Sequence, residues 1–138
     1  MKLLSSSRTR WAEFNLFREL CVKRGTTLSL QILAFVDHYQ GSYARAISLA
    51  KESLDLSIEI KAPRPIAYAK GLFGLNEYAC GNLEEATEFF QEALKIFSEV
   101  DDKRNVAHTL VNLVRTAYRQ GDTGTFLMLT LVIFTHPP

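Results

Sequence analysis

Three glycines constrain this 138-residue chain most: Gly41, Gly81 and Gly121 lie 40 residues apart and then 40 again. Their neighbours keep the same register. Tyr39-Gln40-Gly41-Ser42 aligns with Ala79-Cys80-Gly81-Asn82 and with Arg119-Gln120-Gly121-Asp122. His38, Tyr78 and Tyr118 form one column, Leu33, Phe73 and Leu113 a second, and Arg24, Arg64 and Arg104 a third. Ala46 matches Ala86, and Leu54 matches Leu94. So many columns at one period mean stacked copies of one supersecondary unit, because a lone unit of this size cannot bury its apolar face.

Each unit reads as two helices. In the middle unit the first helix covers about 66–80 and ends at Gly81, since glycine takes the left-handed conformation without a Cβ clash. Asn82 then caps a second helix, with Glu85 three residues on as in a capping box. Leu83, Ala86, Phe90, Ala93, Leu94 and Phe97 form its apolar stripe at three-to-four spacing. Asp101-Asp102 breaks that pattern and caps the next helix. Leu54 to Ile60 alternates like a strand, yet it aligns with Leu94 to Val100 and continues the helical spacing of Ile47 and Ala50, so a helix is predicted. Pro63 and Pro65 suit the following turn and first helical positions.

These residues resemble the tetratricopeptide repeat. The resemblance rests on Phe73-Gly74, Tyr78, Gly81, Leu83, Ala86 and Phe90 in the middle unit, and on Leu33-Ala34, Gly41, Tyr43, Ala46 and Ala50 in the first. Phe17 to Gly25 and Phe97 to Arg104 further resemble the long-period repeats of bacterial MalT-like and LuxR-type regulators and signalling ATPases. The resemblance implies an all-α fold, a right-handed αα-superhelix of about seven antiparallel helices. The expected layout is a flexible segment at 1–9, a lone helix at 10–24, repeats at 27–61, 66–100 and 104–134, and a tail at 135–138. Past Gly121 the pattern fails: Phe126 stands in the alanine column, and Phe126 to Phe134 is apolar all round. The chain therefore reads as cut from a longer array or as a degenerate copy, with a sticky end.

Composition excludes more than it selects. Sixteen basic against 15 acidic residues give a net charge of +1, with no general pull toward nucleic acid or anionic membrane. The N-terminal ten residues lack an apolar signal core, and the apolar run at 126–134 falls well short of the ~20 residues that span a bilayer. A cytoplasmic protein is expected. Cys21 and Cys80 sit in apolar helical patterns and read as buried reduced thiols. His38, His108 and His136 have no zinc-ligand spacing, and the first two read as solvated groove residues. With no phosphate-binding loop, dinucleotide fingerprint or nucleophile elbow, neither an enzyme nor a cofactor is expected.

What remains is a surface. In the family the first helix of each unit lines the concave face. Here its columns are Leu28/Tyr68/His108, Ile32/Leu72/Asn112, Phe35/Leu75/Arg115 and Tyr39/Ala79/Arg119. The third unit is polar where the first two are apolar, and His108, Asn112, Arg115 and Arg119 share one helical face. The expected partner-binding residues are Tyr68, Leu75, Tyr78, His108, Asn112, Arg115, Tyr118 and Arg119. The expected function is a scaffold holding a peptide or partner protein, with self-association through the exposed ends as the alternative.

Overall fold

The computed structural model describes residues 7–135. Of the predicted terminal segments, residues 1–6 and 136–138, with His136, lie outside that range. Residues 7–9 and 135 are helical. Six helices fill the described chain: α1 Ser7–Tyr39, α2 Tyr43–Glu59, α3 Pro63–Ala79, α4 Leu83–Glu99, α5 Lys103–Gln120 and α6 Thr123–Thr135. Each packs chiefly on its neighbours in sequence, in antiparallel pairs, and α1 also touches α3. This is the expected all-α repeat array, and 54–59 is helical within α2 as predicted, with Ile60 at its C-cap.

The turns share one design. Gly41, Lys61, Gly81, Asp101 and Gly121 all have positive φ, between 55° and 85°. At each, two backbone bonds close the helix end. Gly81 N–H donates to the Tyr78 carbonyl and Asn82 N–H to the Glu77 carbonyl, at 3.1 and 2.9 Å. Lys61 and Ala62 repeat the pattern on Ile58 and Ser57, at 3.1 and 3.0 Å. This is the Schellman arrangement, which satisfies carbonyls left orphaned at a helix end. The left-handed residue therefore recurs every 20 residues, and glycine marks only alternate turns.

The series stops at position 21, which changes the expected helix count. The lone helix expected at 10–24 and the first helix of the repeat expected from 27 are fused, and α1 runs through both as one helix of 33 residues. Cys21 and Val22 hold the places of Lys61-Ala62 and Asp101-Asp102. This segment has no proline like Pro63 to break the helix and no side-chain cap like Asp102 to start a new one. Gly25 sits within the helix, and the hydroxyls of Thr26 and Ser29 donate back to the carbonyls of Val22 and Gly25. The first part of α1 consequently projects as an arm, with Trp11, Leu16 and Phe17 exposed. Cys21 is on that arm and Cys80 at a turn, so both thiols are exposed, contrary to expectation.

Small residues set the packing inside the array. Ala34, Ala50 and Leu72 form one buried cluster, Ala67, Ala93 and Phe97 a second, and Ala86, Phe90 and Leu113 a third. Gly74 admits the largest of these side chains: a Cβ built there would lie 2.6 Å from Phe90 Cε1. Full burial of a side chain like Phe90 contributes about 1.5–3 kcal/mol, so the close approach is worth keeping. The caps are less uniform than predicted. Asn82 makes no side-chain cap bond, because its Nδ2 donates to Glu77 Oε2 at 2.7 Å. Asp102 does cap α5: Oδ1 accepts from Asn105 N–H at 3.3 Å, and Oδ2 accepts from Asn105 Nδ2 at 2.8 Å and Arg64 Nε at 3.2 Å. Those bonds, the Asn105 side chain foremost, hold the Asp102 carboxyl below the usual carboxylate range.

Two pairs of outcomes follow, each readable by urea denaturation. Gly25→Ala gains about 0.5–1 kcal/mol, since its Cβ would meet nothing within 4 Å and alanine favours a helix interior. If residue 25 sat in a turn, that gain would be absent. Gly74→Ala loses about 1–3 kcal/mol from overpacking against Phe90. Asp102→Ala costs about 1 kcal/mol at neutral pH. Because the folded-state carboxyl titrates below its unfolded value, the cap contributes above the ordinary carboxylate range and is lost as pH falls through the lowered value. The difference between variant and parent should therefore close in strong acid.

Candidate interaction groove

The first helices of the units, the second half of α1 with α3 and α5, line a shared groove. One hollow of about 310 Å3 is bounded by Phe35, Tyr68, Gly71, Leu72, Leu75, Phe97, Asn105, His108 and Asn112. A second, of about 240 Å3, continues it along Leu28, Gln31, Ile32, Arg64 and Pro65, sharing Tyr68, Phe97 and Asn105. The order follows from the repeat: a 40-residue step moves one two-helix unit along the array and returns to the same helical face. Gln31 and Arg64 apart, the groove wall is thus apolar or aromatic on α1 and α3, and it is polar on α5. No carboxylate lines either hollow.

The expected site residues fall into three places. Tyr68, Leu75, His108 and Asn112 come together in the larger hollow. Burial, and then the nearby Tyr39 phenol, push the Tyr68 phenol above the ordinary tyrosine range, so it stays a neutral donor. The Asn112 side-chain amide has no partner among the described residues, while its backbone carbonyl accepts from Thr116 Oγ1 at 2.7 Å. An amide so placed can pair with a peptide backbone as donor and acceptor.

Tyr78 forms a second place with the two arginines. The guanidinium carbons of Arg115 and Arg119 lie 5.3 and 4.9 Å from its ring centroid. Arg119 Nη1 also donates to the Tyr78 carbonyl at 2.6 Å. That bond occupies Arg119 in tying α5 to the end of α3, where a cation suits the helix dipole. Arg115 has no ion pair or hydrogen bond among the described residues and keeps its donors free. Tyr118 lies apart at the far end, 72% exposed, with its ring 5.4 Å from Phe126. It borders a separate hollow with Arg119 and Leu127.

Other residues of the groove were not on the expected list. Asn105 is one turn before His108, so helical spacing could have found it. Phe35 and Leu72 belong to the columns already noted. Phe97 gave no such signal, because it sits on a second helix and reads as core; it is 3% exposed and forms the groove's floor. His38, expected as a solvated groove residue, is half-buried, with Nδ1 3.1 Å from Oδ1 of the buried Asn76. It joins α1 to α3 instead.

Among the described residues no cluster of three or more metal-ligating side chains occurs, and no helix is long and apolar enough to cross a membrane. No curated protein and no solved structure matches the chain. A family model does match residues 65–125, from the start of α3 into α6, and it identifies that stretch as tetratricopeptide repeat.

Proposed function

We propose that this chain is a non-enzymatic scaffold that holds a peptide or partner segment in the groove across α1, α3 and α5. Tetratricopeptide repeats are generally protein–protein interaction modules, which supports the class. The observation that carries the reading is the free amide of Asn112 beside an apolar hollow, with the unpaired Arg115 one turn on. An apolar side chain of the partner seats over Leu72 and Leu75. Asn112 meets the partner's backbone, and Arg115 meets a carboxylate. The absence of carboxylates from the lining favours an acidic or neutral segment over a basic one.

A resemblance to the repeats of bacterial MalT-like and LuxR-type regulators rests on the sequences of Phe17 to Gly25 and Phe97 to Arg104 alone. On that reading the scaffold is part of, or derived from, a cytoplasmic signalling or transcription regulator, and contacts protein rather than nucleic acid or membrane.

Peptides selected from a random display library on the parent protein provide the assay, read by fluorescence polarisation. Arg115→Glu should weaken them at least tenfold, since a hydrogen bond to a charged group contributes about 1.5–3 kcal/mol. Circular dichroism should show its helicity unchanged. Arg119→Ala should instead lower the melting temperature through the lost bond to Tyr78. Unchanged peptide affinity in both Arg115→Glu and a Leu75→Glu variant would place the binding surface elsewhere.

A further inference from the structure

Two apolar surfaces at opposite ends of the array are each half of a contact that the chain makes within itself. Helix α4 packs on α5 through Phe90 and Leu94 against Leu113. A 40-residue step carries Leu94 to Phe134 in α6 and Leu113, two steps back, to Leu33 in α1. Leu113 is 6% exposed, whereas Leu33 is 47% exposed. Thr116 is fully buried, and its α1 counterpart Val36 is 42% exposed. Phe134 is 80% exposed. The cause is topological. Residues 7–22 continue the axis of α1 instead of folding back over it, so among the described residues no helix covers that face or the outer face of α6.

The surfaces also match in chemistry. Residues 123–135 contain no charged side chain, and the open face of α1 presents Ser29, Leu30, Leu33 and Val36. Burying either against the other strands no ion.

We propose that a second copy of this chain covers both surfaces, with α6 of one copy seated on the 26–36 face of α1 in the next, as α4 sits on α5. The two faces differ, so the contact is heterologous and head-to-tail. Each added copy still offers a free face, and assembly proceeds past the dimer. The projecting arm does not block the seat, because it leaves along the axis of α1 rather than across the face.

Sedimentation velocity over a concentration series tests this with Phe134→Glu and Leu33→Glu. Both positions are exposed, so both variants should fold, as circular dichroism can verify. The parent should form species larger than a dimer that grow with concentration, and each variant alone should be a monomer. An equimolar mixture of the two should form a 1:1 dimer and stop there, since one variant keeps its α6 and the other its α1 face. A monomeric parent at every concentration would overturn the proposal. So would a mixture that stays monomeric, or a Leu33→Glu variant that still self-associates, which would indicate symmetric pairing of α6 or of the arm.

Discussion

The array depends on one backbone constraint: a left-handed residue every 20 positions, from 41 to 121. At each, the amide of that residue and the amide after it close the helix end with paired bonds, and the chain reverses. Equal spacing yields three successive helices of 17 residues, α2 to α4, whose facing positions stay in register. Register in turn brings first helices together on one side and places 40-residue columns side by side. The groove is thus a consequence of the turns. Where the series fails, at Cys21-Val22, the chain loses a helix reversal and gains a projecting arm.

Within this frame, residue size decides what fits and polarity decides what is left available. Gly74 and the alanine columns let Phe90 and Phe97 enter between helices. Gly71, beside Leu72 and Leu75, leaves open space rather than a filled core. Two arginines on the same helical face have different duties. Arg119 is held by the Tyr78 carbonyl, while Arg115 stacks on the same ring with its donors unspent. A stripe of like residues is therefore divided between one that ties the array together and one whose donors stay free.

Much of this was legible from residue spacing. The repeat, the helical character of 54–59, the groove helices and four of the groove residues, Tyr68, Leu75, His108 and Asn112, follow from a 40-residue period combined with 3.6 residues per turn. The fusion of α1 was not legible in that way. A glycine and two threonines at 25–27 look like a break, yet nothing there forces one, and the hydroxyls of Thr26 and Ser29 bond back onto the preceding turn of a helix that runs on. At 61 and 101 the sequence marks the turns, through Pro63 and Asp102, but not the left-handed residue that makes them, because positive φ in a non-glycine residue has weak local signal.

Local chemistry by itself determined the period, the helical class and the composition of the groove wall, since turn preference and apolar spacing act over a few neighbouring residues. The tertiary structure alone decided which side chains were already engaged. Asn82 turns to Glu77 rather than to its own helix, His38 reaches Asn76, Arg119 reaches the Tyr78 carbonyl, and Cys80 faces out. Two of these bonds, from His38 and Arg119, join residues 38 and 41 positions apart, and so depend on how one unit stacks upon the next.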